Sequence, residues 1–265
     1  MHSPIRVATK FIKYYLSSSN GKGHGIHSPF VFDFVINVLN DKRHYAAYEK
    51  IENLRHELLQ DNSVIEVRDL GAGSIKRSSH LRKISSIARS AAKPGKLAQL
   101  LYRIVKYYQP GNIIELGTSL GISSAYLSAG NPASAVTSFE GAPEIARLAK
   151  NNFTTLDINN IQLVEGNFDD TLHHELQKMS VVDLAFIDGN HRSEPTLRYF
   201  NEFLHKINDE SILIFDDIHW STEMEEAWDI IKNDNSVTLS IDLFFLGIVF
   251  FRKDFKVKQD FSIRF

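Results

Sequence analysis

Three aspartates stand where two apolar segments end. Asp188 follows the segment 181–187, and Asp216 and Asp217 come at the end of the segment 211–216. If the segments are neighbouring strands, their backbones lie about 5 Å apart, so the three carboxylates would crowd and repel one another. A hard cation such as Mg²⁺, Mn²⁺ or Ca²⁺ would neutralise them. The alternative is that Asp217 caps the next helix and Asp188 caps a turn.

Two histidines close to these aspartates are candidates for chemistry. His191 comes three residues after Asp188, and His219 two residues after Asp217. A histidine of ordinary pKa suits a general base near neutral pH, so His191 is a candidate proton acceptor. Either histidine could instead supply a nitrogen ligand and shift the preference toward Mn²⁺, Fe²⁺ or Zn²⁺. The remaining alternative for His191 is an ordinary turn residue.

A strand, a glycine turn, a helix and a second strand follow one another from residue 112 to Glu140. The glycines of the turn, 117–121, let a ligand approach the backbone, and the helix after it presents free N–H groups. Glu140 ends the second strand 19 residues after the turn, about where a nucleotide-binding unit keeps a carboxylate for ribose hydroxyls. Ser119 replaces the middle glycine of a dinucleotide-binding turn. The unit predicts nucleotide-like binding, with a plain α/β turn as the alternative.

This unit resembles motif I of the class I S-adenosylmethionine-dependent methyltransferases. It is most similar to the metal-dependent O-methyltransferases of the catechol and caffeoyl-CoA type, whose turn also lacks the middle glycine. The resemblance covers about residues 97–251 and implies S-adenosylmethionine as the cofactor. It implies that Glu115 contacts the methionine amino group, that Ser123 contacts its carboxylate and that Glu140 contacts the ribose diol. The implied cofactor contacts are Glu115, Gly117, Thr118, Ser119, Gly121, Ser123, Glu140, Gly141, Asn167, Phe168 and Asp188.

The same resemblance gives the aspartates and His191 their roles. The catechol-type enzymes carry one metal-binding Asp after strand four and an Asp-Asn pair after strand five. Asp188 matches the first, and Asp216 and Asp217 match the pair, with Asp in the second place as in related sugar methyltransferases. His191 stands where the catechol enzymes have a proton-accepting Lys, so Asp188 and His191 are the implied catalytic residues. The implied function is O-methylation of a small hydroxylated molecule, such as a catechol, vicinal diol or sugar, assisted by Mg²⁺, Mn²⁺ or Ca²⁺.

Three other functions remain open at this point. A metal-independent small-molecule or protein methyltransferase would use Glu115 and Glu140, with the aspartates as caps. An RNA methyltransferase would use the basic N-terminal region to grip phosphates, whereas the absence of an Asn-Pro-Pro-Tyr-type motif counts against methylation of DNA bases. A binding module that retains the fold without catalysis is the third.

The order of elements predicts the fold class. From residue 112 onward apolar strand patterns alternate with helical patterns, which predicts a doubly wound α/β fold with a mostly parallel sheet. We expect seven strands, the last two of which, 237–242 and 244–251, form an antiparallel hairpin. This sheet resembles the Rossmann-like sheet of the methyltransferases.

The charge distribution divides the chain into two parts. Residues 1–110 hold 18 Lys and Arg against 8 Asp and Glu, a net +10, and residues 111–265 hold 12 against 24, a net −12. We expect a basic, mainly helical extension over 1–95, acting as a substrate lid or interaction region, and a cofactor-binding domain over 96–265. The first predicted helix, 5–16, carries three basic residues on one face, either solvated or lying on a membrane surface.

Two glycine-rich segments of the extension are ambiguous. The loop 17–30 holds His24 and His27 and is either a lid over a ligand or a flexible linker. Residues 69–74 resemble a cofactor turn, but no strand ending in an acid follows them, so a strand and turn is the better interpretation.

Composition sets the remaining expectations. The chain has 265 residues, is 43% hydrophobic and has no cysteine, which excludes disulfides and cysteine-ligated metals. Its start makes a poor signal peptide, and its longest uncharged apolar run is too short to span a bilayer. We expect a cytoplasmic protein, with a homodimer left open.

Overall fold

The structure, a computed structural model, describes residues 2–68, 79–91 and 94–265. The glycine-rich segment 69–74 lies outside these residues. The chain forms two compact units. One, the aspartate unit, consists of Met1–Asp41 and Met179–Phe265, and the other, the glycine-turn unit, consists of Lys42–Lys178.

Two N-terminal helices belong to the aspartate unit. The first, α1, spans Pro4–Ser17, and the hydroxyl of Ser3 before it accepts a backbone N–H of its first turn. The second, α2, spans Pro29–Phe34 after a similar cap by Ser28 and continues as a π-helical turn over Val35–Leu39. Proline suits the first position of both helices because its missing N–H would have no partner there. The first helix is confirmed where the sequence predicts it, over 5–16.

The glycine-turn unit contains the predicted strand–turn–helix–strand segment. Its strands β3, β4 and β5 pair in parallel in that order, whereas β1 and β2 form a separate antiparallel pair. Its elements are α3 (Ala46–Gln60), β1 (Val64–Arg68), β2 (Ser79–Lys83), α4 (Ile84–Ala91), α5 (Gly95–Tyr108), β3 (Asn112–Leu116), α6 (Ile122–Gly130), β4 (Ala135–Glu140), α7 (Pro143–Thr155), β5 (Ile161–Glu165) and α8 (Phe168–Lys178).

A buried helix holds the glycine turn in place. Every residue of α6 except Ala129 is buried, and its side chains pack in one core with residues of α3, α4 and α5. The hydroxyl of Tyr126 on α6 donates a hydrogen bond of 2.8 Å to the carboxylate of Glu52 on α3. Helices α3, α4 and α5 therefore serve as the packing surface of the helix that follows the turn.

The aspartate unit carries the rest of the strands. Their order is β10-β8-β9-β7-β6, in which β6 and β7 are parallel, β9 is antiparallel to both β7 and β8, and β10 is parallel to β8. The elements are β6 (Leu184–Ile187), α9 (Ser193–Leu204), β7 (Ile212–Asp216), α10 (Thr222–Asn233), β8 (Leu239–Asp242), β9 (Leu246–Phe250) and β10 (Gln259–Ser262).

The predicted fold class is confirmed, with two corrections to its elements. The mostly parallel sheet has eight strands rather than seven, because the short, partly exposed β10 adds to its edge. The sequence pattern predicts a helix over 81–92, but the helix begins only at Ile84, because Ser79–Lys83 pairs with β1 as a strand. The predicted hairpin forms between β8 and β9. None of the helices within the described residues has both the length and the apolar composition needed to cross a bilayer.

The predicted domain boundary at residue 95 stays a prediction. The compact units divide the chain elsewhere, since residues 1–41 belong to the aspartate unit and the rest of the predicted extension belongs to the glycine-turn unit.

We expect Gly130→Ala to destabilise the protein. A Cβ at Gly130 would lie 2.7 Å from Cβ of Val105 and 2.9 Å from the carbonyl oxygen of Tyr102, both on α5. Because the carbonyl cannot move away without disturbing the helix, we expect overpacking to cost about 1–3 kcal/mol of unfolding free energy, measured by urea denaturation.

Gly95→Ala is the matched control in the same unit. Its Cβ would lie 3.1 Å from Oε1 of Glu52, the end of a side chain rather than backbone, so a shift of a few tenths of an ångström relieves the contact and a smaller loss is expected. A Gly130→Ala protein as stable as the unmodified one would contradict the close packing of α5 against α6.

Candidate active site

The glycine turn between β3 and α6 has the backbone that its sequence predicts. Gly117, Ser119 and Gly121 have φ values of 104°, 48° and 83°, in the left-handed region that favours glycine. The N–H groups of Gly117 and Thr118 both donate to the carbonyl of Phe139 at 3.0 Å, which ties the turn to β4. At Gly121 a Cβ would lie 2.5 Å from the ring of Phe153, so a larger residue does not fit.

Glu140 is held beside this turn by two backbone hydrogen bonds. The N–H of Ser119 donates to Oε2 at 2.8 Å, and the N–H of Ala142 donates to Oε1 at 2.9 Å. Each carboxylate oxygen can accept a further hydrogen bond. The half-buried carboxylate is therefore oriented for two neighbouring hydroxyl groups, as on a ribose.

Glu115 lies in a fully buried setting at the end of β3. The hydroxyls of Ser124 and Ser138 donate to its Oε2, the latter at 2.5 Å, whereas Oε1 makes no hydrogen bond to the described residues. Burial raises the pKa of Glu115 to about 7, against the lowering effect of the surrounding serine hydroxyls, and the charge of Glu140 adds to the rise. A buried carboxyl oxygen without a donor fits a cationic group such as an ammonium.

The other predicted cofactor contacts in this unit surround the same turn. Ser123 is buried in the first turn of α6, and the hydroxyl of Thr118 lies 2.5 Å from that of Ser138. Gly141 follows Glu140, and Asn167 and Phe168 follow β5, where the Phe168 ring lies 6.4 Å from that of Phe139. The predicted contact Asp188 belongs to the other unit. The roles of all these residues stay predictions.

A separate group of metal-ligand atoms lies in the aspartate unit. One ligand atom each of Asp188, His191 and Asp216 falls within 4.8 Å of the others, and Nε2 of His191 lies 3.5 Å from Oδ1 of Asp188. The parallel register of β6 and β7 pairs Ile187 with Phe215, so the two aspartates that follow them stand side by side. Asp216 is buried, and the other two residues are half-buried. Two carboxylates and an imidazole form a donor set that fits a divalent cation.

Asp217 is not part of this group of ligand atoms, although the sequence predicts it as a third carboxylate ligand. Its backbone is left-handed, with φ 55°, and its N–H donates to the carbonyl of Phe245 at 2.8 Å. Asp and Asn are among the residues that tolerate this conformation best. The group instead contains His191, so a ligand role for Asp217 stays a prediction.

His219 contacts carboxylates that do not belong to the group of Asp188, His191 and Asp216. Its Nε2 lies 2.7 Å from Oδ2 of Asp242, its Nδ1 lies 3.2 Å from Oε1 of Glu225, and its ring stacks on that of Phe244. Burial lowers the pKa of His219, but its hydrogen bonds and charge interactions with Asp242 and Glu225 outweigh burial and raise the pKa above its usual value. Sequence reasoning missed this network because its members are far apart in the chain.

The predicted lid loop lies in the aspartate unit. Both His24 and His27 are exposed. His27 lines a shallow pocket of about 580 Å³ together with Phe255, Val257 and Phe261 near the C-terminus. Closure of this loop over a ligand stays a prediction.

Comparison with known proteins supports the interpretation of the glycine turn. Residues 114–218 match a family described as a methyltransferase domain, a span that begins in β3 and ends two residues after β7. No curated protein matches the chain.

Solved structures share the fold at low sequence identity. The SAH-bound methyltransferase of Podospora anserina has 13% identity and a TM-score of 0.60, over 85% of this chain and 97% of that one. An O-methyltransferase of Bacillus cereus in complex with SAH has 16% identity and a TM-score of 0.55, over 83% and 97%. The SAM-bound O-methyltransferase of tomaymycin synthesis from Streptomyces achromogenes has 14% identity and a TM-score of 0.56, over 84% and 95%.

Such likeness shows the fold, and the family match covers the segment that holds the glycine turn, Glu140, Asp188 and Asp216. Residues 114–218 thus match a methyltransferase domain, and the resemblance of the chain to the class I S-adenosylmethionine-dependent methyltransferases, with the enzyme class it implies, is confirmed.

Proposed function

We propose that this enzyme methylates a hydroxyl oxygen of a small molecule with the help of a divalent metal ion. The observation that carries the proposal is the convergence of Asp188, His191 and Asp216, whose ligand atoms lie within 4.8 Å of one another. A methyltransferase that only aligns a reactive nucleophile has no need of such a group. The solved O-methyltransferases that share the fold agree with an oxygen acceptor.

The glycine-turn unit would hold the methyl donor. S-adenosylmethionine, when bound, supplies a methyl group already activated on a sulfonium. Glu140 would accept hydrogen bonds from the ribose hydroxyls, and Oε1 of Glu115 would face the methionine ammonium. Precise orientation of this kind can lower a barrier by about 7–11 kcal/mol.

The aspartate unit would hold and activate the acceptor. A divalent metal, when bound, lowers the pKa of a coordinated hydroxyl. Asp188 and Asp216 would supply carboxylate oxygens, and their neutralisation would relieve the repulsion between them. His191 would take the acceptor's proton, because its imidazole lies beside Asp188 and is partly open to solvent. A vicinal diol or catechol is the class of acceptor that can chelate such a metal.

We expect Asp188→Asn to abolish metal-dependent turnover and to leave SAH binding within about twofold of the unmodified protein. The change removes one charged ligand of the metal group without altering the shape of the side chain. Methyl transfer to a panel of catechols and diols, with and without added Mg²⁺ or Mn²⁺, measures the first effect, and titration calorimetry with SAH measures the second.

Asp229→Asn is the matched control, since Asp229 is exposed on α10 of the same unit. Full turnover of the unmodified enzyme after exhaustive chelation would rule out the metal part of the proposal. Loss of SAH binding in Asp188→Asn would show that Asp188 serves the cofactor instead.

We expect Glu140→Gln to weaken SAH binding by about tenfold or more, because charged acceptors form the stronger hydrogen bonds. The amide also replaces one of the two oxygens that accept backbone N–H groups, so the side chain loses its fixed orientation. Glu165→Gln at the end of the neighbouring strand β5 is the control, because that carboxylate is exposed and pairs with Lys150. If calorimetry shows that both variants bind SAH equally well, that result contradicts the proposed contact of Glu140 with the ribose.

The raised pKa of Glu115 predicts that SAH binding depends on pH. In the free protein this carboxyl takes up a proton below about pH 7, whereas an ammonium beside it favours the charged form. SAH affinity should therefore rise about tenfold from about pH 6 to about pH 8 through this group. Glu115→Gln, which cannot titrate, should lose that part of the rise in affinity. If calorimetry gives the same dependence of SAH affinity on pH for this variant and the unmodified protein, that result contradicts the contact of Glu115 with the ammonium.

The same pKa has a consequence for folding in the absence of ligand. The folded-state pKa of Glu115, about 7, lies above its ordinary value of 4.5, so the folded state binds more protons between these two pH values. The stability that Glu115 contributes is complete below about pH 4.5 and is lost as pH rises to about 7.

A further inference from the structure

One side of helix α1 is anchored in the aspartate unit by specific contacts. Nζ of Lys10 lies 2.7 and 2.8 Å from the two carboxylate oxygens of Glu225. The hydroxyl of Tyr14 donates to the carbonyl of Ile263, and the Phe11 ring packs edge-on against Phe244 at 5.1 Å. These contacts fix which side of α1 points outward.

The outward side of α1 is apolar. Ile5, Ile12 and Leu16 are 80%, 58% and 73% exposed, and Tyr15 is 51% exposed. Ile12 follows Ile5 by seven residues, and Tyr15 and Leu16 follow Ile12 by three and four, so the four side chains lie on one stripe of the helix. Single exposed apolar side chains are normal, but a stripe of them on one helix indicates an interaction surface.

Two exposed aromatic residues of the aspartate unit lie close to helix α1. Phe245 is 40% exposed, and its ring centre lies 6.0 Å from that of Phe11. Trp220 is 36% exposed, and its carbonyl accepts the N–H of His2 at 2.9 Å, just before α1 begins. Tyr, Trp and Phe are the residues that sit well where an apolar surface meets water.

Two cations lie beside the stripe of α1. Arg6 and Lys13 are exposed seven residues apart, so they share one flank of the stripe. Residues 1–32 contain no Asp or Glu, and Lys10 is the cation of α1 that Glu225 neutralises. The sequence places Arg6, Lys10 and Lys13 on one face, but the structure turns Lys10 inward and leaves the other two beside exposed apolar side chains.

We propose that α1 attaches the protein to an anionic membrane surface. An outward apolar stripe with cations on its flank is the pattern of a helix that lies in the headgroup region. Charge complementarity favours anionic lipid over a second copy of the chain, because a two-fold contact along α1 would bring the cations of both copies to one interface. The proposal does not depend on the methyl acceptor or on the metal.

The test is co-sedimentation of the purified full chain with lipid vesicles. We expect binding to vesicles of phosphatidylcholine with phosphatidylglycerol, weak binding to phosphatidylcholine alone, and loss of binding at high sodium chloride. Replacing Arg6 and Lys13 by Gln should weaken binding to the anionic vesicles by about fivefold per cation. The double change Ile12→Glu and Leu16→Glu should weaken it more than about tenfold, because two apolar groups no longer enter the lipid.

Ile230→Glu is the matched control, since Ile230 is 54% exposed on α10 of the same unit and is not part of the stripe. Circular dichroism melting should show that all variants remain folded, because every replaced side chain is exposed. The proposal is overturned if the unmodified protein ignores anionic vesicles at low salt, or if the Ile12 and Leu16 variant binds them equally well. Light scattering that shows a dimer dissociating in that variant, with vesicle binding unchanged, would assign the stripe to a second copy.

Discussion

A carboxylate that is buried away from water loses its hydration, and hydrogen bonds or an opposite charge must make up for that loss. The two candidate binding regions meet this constraint in two ways. In the glycine-turn unit, Glu115 is fully buried, and the serine hydroxyls that donate to one of its oxygens compensate it only in part. In the aspartate unit, buried Asp216 shares its surroundings with Asp188 and His191. For Glu115 the incomplete compensation indicates a cationic partner such as an ammonium, and the donor set of Asp188, His191 and Asp216 fits a metal ion.

The glycine turn can serve such a partner only because its neighbours keep it rigid. The helix α6 consists largely of small residues and is almost wholly buried, so its N-terminus cannot shift when a ligand arrives. Two N–H groups of the turn are bonded to β4, and Ser119 and Ala142 hold Glu140 from either side. A prearranged site of this kind loses little entropy when it binds.

Helix and strand bounds are predicted most accurately for buried elements whose apolar residues follow a simple period. Strands β3 and β4 agree to within one residue with the bounds that their apolar runs predict, 112–116 and 135–139, because these runs are buried. Strand β10 was missed because Gln259–Ser262 is polar and lies at a sheet edge, where the pattern is weak. Residues 81–83 of strand β2 are assigned to the predicted helix 81–92, because Leu81, the one large apolar residue of the strand, is 77% exposed and so carries no information about burial.

The contacts of the candidate site differ in the same way: those set by neighbouring strands could be predicted from the sequence, and those between residues far apart in the chain could not. The pairing of Asp188 with Asp216 could be predicted, because parallel strands bring their carboxyl ends to one edge of a sheet. The network of Lys10, Glu225, His219 and Asp242 could not, since it joins residues up to 232 positions apart that share no motif.

That network decides which side of α1 faces solvent together with the packing of Phe11 and Tyr14. Here Glu225, which also accepts from His219, draws Lys10 inward and holds the apolar stripe out. Exposing large apolar side chains costs free energy that folding does not recover. The arrangement is therefore best understood as serving a surface that the helix meets after folding.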